Sequence, residues 1–173
     1  MAVIENSLHD RTACQTDTCA DAIEALHSGI AARRTDLDEI LWRAVIAHQG
    51  ERFYTASGLP FRYVVNRTRD GTYGGELCVS RKESSKTLTK SSVLLAFHKV
   101  LDNIAVAETA QTEPCGSAIC PPLYRGPKAI GQIFGISYIY SLFWRLGLIA
   151  VPEKIENKLK GENEREMQQL KLD

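Results

Sequence analysis

The sequence predicts an α+β fold: an N-terminal helical pair, a three-stranded antiparallel β-meander packed by an amphipathic helix, and a C-terminal helical hairpin. Apolar residues recur at helical spacing before residue 50 and after residue 89, and they alternate with polar residues between these limits. Glycine-containing turns separate the segments. With 44% hydrophobic residues in 173, the chain can bury a core without help from a metal or a disulfide.

Two acidic helices are expected before the meander. The first runs from about Ala20 to Arg33, where apolar residues follow the helical period. The second begins at Asp36, which has the position of an N-cap with Glu39 as its reciprocal partner three residues on. It stops at Gly50, a residue type that commonly ends helices. The short connection between the two helices predicts an antiparallel pair.

The meander is predicted from apolar and polar residues that alternate with period two. In its second strand Phe61, Tyr63 and Val65 share one face, which is predicted to meet the core. Asp70–Gly71 and Gly74–Gly75 are predicted to form the hairpin loop between the second and third strands. The three predicted strands are residues 52–56, 61–66 and 76–81.

The second half of the chain is predicted to be helical around one long loop. An amphipathic helix is expected to begin at Thr89, whose hydroxyl can cap it, and to cover the sheet. Small residues, prolines and two cysteines over residues 105–125 predict a loop. Gly126–Pro127 opens a short helix that Gly135 breaks, and a second helix over residues 136–146 completes the hairpin.

Three segments follow from this organisation: an acidic helical segment (1–50), an α+β core domain (51–150) and a charged tail (151–173). The tail is predicted to be a solvated helix or a disordered segment. The first residues lack the basic and apolar regions of a signal peptide. The most apolar stretch, residues 130–149, is interrupted by polar residues and glycines. These features predict a cytoplasmic protein with no membrane partner.

Charge is unevenly distributed although the formal net charge is zero. Residues 1–51 contain nine acids and four bases, a net charge of −5. Residues 52–90 contain eight bases and three acids, a net charge of +5. A local excess of positive charge attracts a polyanion even when the whole chain is neutral. The alternative is that the acidic and basic blocks dock on each other.

The basic block predicts a surface that binds DNA or RNA. The major groove of DNA admits a helix or a thin β-ribbon, and phosphates attract Lys and Arg at any base sequence. The start of the helix after the meander also offers free backbone N–H groups to a phosphate. The alternative is an ordinary solvated hairpin. The residues predicted to contact nucleic acid are Arg62, Arg67, Arg69, Arg81, Lys82, Lys86 and Lys90.

No catalytic constellation is recognisable, so the chain is expected not to be an enzyme and to use no cofactor. Each of the four histidines lacks a second metal-binding residue at a suitable spacing on the same element. Cys78 lies in an apolar strand and is predicted to be part of the core. The default for the other four cysteines is free thiols. The alternative is one zinc ion held by two C-x4-C pairs, Cys14 with Cys19 and Cys115 with Cys120.

A glycine turn between two helices over residues 128–149 resembles a helix-turn-helix. The second helix is too apolar for a face that reads DNA bases, which favours a core helix or a dimer-forming helix. A homodimer through residues 136–147 is therefore a second partner prediction.

Four short motifs resemble one group of proteins. They are Gly58–Tyr63, Ser80–Lys82, Gly126–Lys128 and Phe134–Tyr138. They are similar to uncharacterised small proteins of bacterial mobile elements and prophages, and the resemblance covers about residues 50–150. The group has no established activity, so the resemblance implies a biological context and no catalytic residues. That context implies either a DNA-binding accessory or regulatory protein, or a protein-binding inhibitor of a host defence system. Such an anti-CRISPR-like inhibitor would act on a host nuclease complex or on its nucleic acid.

Overall fold

The computed structural model describes residues 18–110 and 119–161, with side chains for all of these except residues 105–110. The predicted α+β class is confirmed. The α-helices are α1 (Cys19–Ala31), α2 (Leu37–Ala47), α3 (Lys90–Ala110), α4 (Ile136–Arg145) and α5 (Glu153–Leu159), with a 3-10 helix at Pro127–Ala129. The strands are β1 (Phe53–Tyr54), β2 (Pro60–Arg67), β3 (Tyr73–Ser80) and β4 (Ser85–Thr89).

The four strands form one antiparallel sheet in the order β1-β2-β3-β4. The sequence predicts three strands and misses β4, which lies in the segment expected to lead directly into the helix. β4 is short and polar, and Leu88 is its one buried residue. A single apolar position gives no alternation to recognise, so pairing with β3, where Leu77 faces Leu88, defines the strand instead.

The hairpin loop between β2 and β3 is shorter than predicted. Asp70–Gly71 lies at its tip, where Gly71 has φ +86°. Gly74–Gly75 lies inside β3 rather than in the loop. The indole N–H of Trp42 donates to the Gly74 carbonyl at 3.1 Å, which ties α2 to the start of this strand.

The two faces of the sheet have different surroundings. Phe61, Tyr63 and Val65 are buried on the face that packs against the helices, as predicted. Cys78 lies on the opposite face, half-buried and paired across the strands with Val64, which is 51% exposed. The prediction that Cys78 belongs to the core is wrong, because strand alternation gives the core positions to its neighbours.

The helix starts are partly as predicted. The Thr89 hydroxyl accepts a hydrogen bond from the backbone N–H of Ser92 at 3.3 Å, so it caps α3. Asp36 precedes α2 as expected, but its side chain makes no cap bond. Its carboxylate instead accepts two hydrogen bonds from Arg34, at 2.7 and 2.8 Å. A two-pronged bond to a guanidinium is stronger than a neutral cap bond, which explains why the predicted reciprocal cap is absent.

α3 is longer than the sequence predicts. It extends to Ala110, so the expected loop over residues 105–125 does not begin at residue 105. The stretch from residue 105 to residue 110 lacks glycine and proline, and nothing in it stops a helix. Residues 111–118 of the predicted loop lie outside the described residues. After them, Leu123 forms an isolated parallel bridge with Ala150.

The C-terminal part contributes to the core. The predicted short helix after Gly126 is only a 3-10 turn, and α4 begins after Gly135 as expected. Six of the ten α4 residues, from Tyr138 to Phe143, are buried within one copy of the chain. This burial supports the core interpretation of α4 and leaves little of residues 136–147 to meet a second copy.

One hydrophobic core joins parts of all three predicted segments. Leu26 of α1, Tyr63 of β2 and Leu159 of α5 belong to the same buried cluster. Of the predicted tail, residues up to 161 are described, and α5 is folded against the rest through Leu159, which is 2% exposed. None of the helices over residues 18–110 and 119–161 combines the length and apolar character needed to cross a membrane.

Candidate nucleic-acid interface

The seven predicted contact residues lie at two ends of the sheet instead of on one face. Arg62, near the start of β2, pairs with Ser80, near the end of β3. Arg67, at the other end of β2, pairs with Tyr73. The five residue steps from Arg62 to Arg67 correspond to roughly 17 Å of strand. Arg81, Lys82 and Lys86 lie near Arg62, whereas Arg69 and Lys90 lie toward the end that holds Arg67.

We call the first group the basic end. It also contains Arg52, which the sequence counts in the basic block but does not single out as a contact residue. Arg52 precedes β1, and the pairing of Phe53 with Phe61 brings it beside β2. A cleft of about 340 Å³ has four of the five bases in its lining. The basic end consists of Arg52, Arg62, Arg81, Lys82 and Lys86.

Two arginines of this end donate hydrogen bonds to neutral groups. The Arg62 guanidinium donates to the Gly50 carbonyl at 2.8 Å, and Arg81 donates to the Ser84 hydroxyl at 3.2 Å. Within the described residues, no carboxylate forms an ion pair with Arg62, Arg81, Lys82 or Lys86. Their charges are therefore available to an anionic ligand.

A second cleft of about 430 Å³ adjoins the first at Arg81. We call it the aromatic cleft, because the Phe134 side chain in its lining is 63% exposed. Leu59, 51% exposed, adds a second apolar side chain. The remaining lining includes the hydroxyl groups of Thr55, Ser57 and Ser137, the bases Arg81 and Lys86, and Ile133, Gly135, Ile136 and Tyr138. The cleft thus combines positive charge, hydrogen-bonding groups and an exposed ring.

Backbone geometry sets the position of Phe134. Gly135 adopts φ +74° and serves as the residue before α4, so the chain turns sharply at this point. Ile133, on one side of Phe134, is buried, whereas Phe134 faces outward. The sequence gives no hint of this arrangement, because Phe134 lies about fifty residues after the bases that it joins.

At the opposite end of the sheet, two of the predicted contact residues make interactions within the protein. Arg67 lies over the Tyr73 ring at 4.1 Å and donates to the Gly71 carbonyl at 2.6 Å, so it stiffens the hairpin. Lys90 forms an ion pair with Glu39 of α2 at 2.8 Å. The alternative that the acidic and basic blocks dock on each other therefore holds for Lys90. Arg69 lies exposed in the hairpin turn.

A further cluster of polar side chains, which the sequence does not predict, lies where α1, α2 and the segment before β1 meet. The Cys19 sulfur, a ring nitrogen of His48 and a carboxylate oxygen of Glu51 all lie within 4.8 Å of one another. Burial, followed by the hydrogen bond to Glu51, raises the pKa of the Cys19 thiol. The H-x2-E spacing of His48 and Glu51 is the one signal in the sequence, and nothing local connects it to Cys19.

The predicted zinc alternative with four cysteines is only partly visible. Cys14 and Cys115 lie outside the described residues. In the part of the chain that is described, the cluster of Cys19, His48 and Glu51 is the one group of three His, Cys, Asp or Glu side chains close enough to share an ion, and it does not include Cys120.

Comparisons with protein-family models, with curated proteins and with solved structures found no match to this chain.

Proposed function

We propose that the chain is a non-enzymatic protein that binds DNA through the basic end and the adjoining aromatic cleft. One observation carries this proposal: five bases converge from three separate places in the sequence on a surface that also exposes an aromatic ring. Within the described residues, no carboxylate forms an ion pair with four of them: Arg62, Arg81, Lys82 and Lys86. Phosphates attract such cations, and a base can stack on the ring.

The aromatic cleft favours an unpaired or unstacked base as part of the ligand. Stacking on an aromatic side chain needs an accessible base face, which a regular duplex does not offer. Phe134 and Leu59 provide the apolar surface, while Arg81 and Lys86 lie in the same cleft for the adjacent phosphates. Single-stranded DNA, or a distorted part of a duplex, therefore fits this surface better than straight duplex DNA.

The resemblance to proteins of mobile elements suggests what such binding is for. A small protein that holds exposed single strands suits an accessory or regulatory role during the transfer or replication of an element. The role in a mobile element and the binding of DNA are separable proposals, and the experiment below addresses binding.

Binding is tested by fluorescence anisotropy with a labelled single-stranded oligonucleotide and with the matching duplex. If about four phosphates are contacted, the logarithm of the binding constant falls with the logarithm of salt concentration with a slope of about −3 for the single strand. The double variant Arg81→Glu with Lys82→Glu is expected to bind at least tenfold more weakly. Phe134→Ala is expected to lose roughly five- to a hundredfold for the single strand, corresponding to one stacked base.

Arg69→Glu is the matched control, because it reverses an exposed charge at the opposite end of the sheet. Its affinity should stay within about threefold of the wild type at moderate salt, since exposed charges beyond a Debye length are screened. The proposal fails if no complex forms at low salt. It also fails if Arg69→Glu weakens binding as much as the double variant at the basic end.

A protein-binding inhibitor of a host defence system is the second candidate. The observation that favours it is the exposure of Phe134, Leu59 and Val64 near the basic end, since exposed apolar side chains beside charge suit a protein partner. An acidic surface of a nuclease complex would be the complementary partner. Co-purification that survives nuclease treatment, is lost in the Arg81→Glu and Lys82→Glu double variant, and occurs without affinity for free DNA would support this candidate over the first.

A further inference from the structure

We propose that Cys19, His48 and Glu51 form a binding site for one divalent metal ion of the zinc class. The site lies at the junction of α1 and α2, away from the basic end, and it does not depend on nucleic-acid binding.

The three ligand atoms lie close to the spacing that zinc requires. Zinc binds sulfur at about 2.3 Å and nitrogen or oxygen at about 2.0–2.2 Å, so the ligand atoms of a tetrahedral site lie roughly 3–4 Å apart. The Cys19 sulfur is 3.2 Å from Oε1 of Glu51, and all three ligand atoms lie within 4.8 Å of one another. A small adjustment of side chains would close the set around an ion.

The His48 ring is held by the backbone through one nitrogen, and its other nitrogen can bind a metal. Its Nδ1 lies 2.8 Å from the Ala44 carbonyl oxygen, which can only accept a hydrogen bond. In the neutral ring the proton therefore sits on Nδ1, and Nε2 keeps the lone pair that a metal needs. Histidine ligands in metal sites are commonly fixed by such a bond from the other ring nitrogen.

Glu51 is oriented in a similar way. The Arg145 guanidinium donates to Oε2 at 2.8 Å, which leaves Oε1 directed at Cys19. Arg145 also donates to the Arg52 carbonyl at 3.1 Å and lies over the Phe53 ring at 4.5 Å, so its own position is fixed. The carboxylate can bind an ion through one oxygen while the ion pair holds the other.

The environment permits an ion to enter and favours zinc. His48 is 2% exposed, whereas Cys19 and Glu51 are half-buried and reach the surface. One thiolate, one imidazole and one carboxylate form a mixed donor set that zinc accepts, with water as the fourth ligand. Binding replaces the thiol proton of Cys19, which passes to solvent. The ion would connect the first residue of α1 to the end of α2.

The alternative account of the cluster needs no metal. The Cys19 thiol lies 3.3 Å from the Ala47 carbonyl, so it could simply satisfy a carbonyl at the end of α2. This account predicts that zinc has no effect on the protein, which makes the two accounts separable.

The test uses the tag-free chain of 173 residues, stripped with a chelator and titrated with Zn²⁺ alone against a chromophoric competitor. We expect one equivalent to bind, and Co²⁺ in its place to give the near-ultraviolet band of a thiolate–cobalt bond. Cys19→Ala, His48→Gln and Glu51→Gln should each weaken binding at least tenfold. Cys78→Ala is the matched control, because that thiol lies on the outer face of the sheet, and it should bind zinc as the wild type does.

The melting temperature gives a second measurement. If the three residues had only a structural role, added zinc would not change it. Zinc at about a hundred times its dissociation constant should raise the melting temperature of the wild type by roughly 5–10 °C, and should leave that of Cys19→Ala unchanged. Circular dichroism without zinc verifies that each variant is folded. Absence of stoichiometric zinc overturns the proposal. So does loss of zinc in Cys120→Ser together with its retention in His48→Gln, since that result indicates the site of four cysteines.

Discussion

At the scale of single residues, the end of α2 shows how distant side chains complete a helix. The last carbonyls of any helix lack partners within the helix. In α2, the Val45 carbonyl accepts from the Tyr63 hydroxyl at 2.6 Å, and the Ala47 carbonyl lies 3.3 Å from the Cys19 thiol. Burial raises the pKa of Tyr63 well above its ordinary value, so its hydroxyl stays a donor at neutral pH. These contacts fix the segment that leads to both proposed sites.

Tyr63→Phe is expected to lower the free energy of unfolding by about 1–2 kcal/mol, because it leaves the Val45 carbonyl buried without a donor. Urea denaturation monitored by circular dichroism measures the change. Val64→Thr is a suitable control on the same strand, since Val64 is 51% exposed, and its effect should stay within about 0.5 kcal/mol. Equal stability of Tyr63→Phe and the wild type would show that the hydroxyl contributes nothing.

The carboxylate of Asp70 organises the turn between β2 and β3. It accepts a hydrogen bond from the backbone N–H of Thr72 at 3.0 Å and further bonds from the hydroxyls of Thr68 and Thr72. The hydroxyl bonds, with that of Thr68 first, lower the pKa of Asp70 from its ordinary value to about 2. A lowered pKa means that the folded turn prefers the ionised carboxylate.

The turn should therefore be pH-dependent in a defined window. The stabilisation is present above the ordinary aspartate pKa near 4 and is lost as pH falls toward 2. Nuclear magnetic resonance titration of the Asp70 side chain should give a midpoint near pH 2, and hydrogen exchange at the Thr72 amide should accelerate over the same range. In Asp70→Asn that acceleration should be absent. A midpoint near 4 would contradict the expectation.

At the scale of elements, the contact between the start of α4 and β4 leaves no room for a side chain. Gly135 has φ +74°, and a Cβ atom placed on it would lie 1.9 Å from a methyl carbon of Leu88. Leu88 is 1% exposed and has little freedom to move aside. Because Gly135 has no side chain, the start of α4 can lie close to the edge of the sheet, where the aromatic cleft is formed.

Gly135→Ala is expected to destabilise the fold by about 2–4 kcal/mol, the sum of backbone strain and overpacking. Gly71→Ala separates these causes, because Gly71 has φ +86° but no atom within 4 Å of a built Cβ. Its cost should be about 1 kcal/mol from strain alone. Denaturant midpoints of the two variants measure the difference. Equal midpoints would mean that Leu88 yields at no cost.

The elements that the sequence predicts are those with a repeated local signal. α1, α2 and α4 follow the helical period, and β2 alternates, so each is found close to its true position. β4 has one buried residue, and the reciprocal cap at Asp36 is displaced by Arg34, so neither can be deduced from spacing. Pairing partners decide such cases, and a single sequence does not show them.

At the scale of the whole molecule, the candidate interface is a product of topology. Arg81 and Lys82 could be proposed from the charge of their block, and they do lie in the basic end. Three other bases of the same block, Arg67, Arg69 and Lys90, lie at the opposite end of the strands, so they are far from the basic end. Phe134 enters from the C-terminal part through the packing of α4 near the edge of the sheet. Local charge therefore suggests a kind of ligand to propose, but it does not show which basic residues lie together in the fold.

The single core predicts one unfolding transition for the described parts of the chain. Trp42 of α2 is 4% exposed and Trp144 of α4 packs against the same core, so the two indoles report on opposite halves of the sequence. Variants that keep one tryptophan each should show the same urea midpoint by fluorescence and by circular dichroism, after correction for the stability lost in each substitution. Separate midpoints would instead support an independent segment before residue 50.

The completion of α2 by distant residues has a consequence for the order of folding. Tyr63 lies 18 residues after Val45, whose carbonyl it contacts, and Cys19 lies 28 residues before Ala47. During synthesis α2 leaves the ribosome before Tyr63 does, and its final turn lacks this donor until β2 docks. The acidic helices therefore mature together with the sheet. Completion of the last turn of α2 requires closure of the chain between α2 and β2, which is slower than the addition of one residue to a helix.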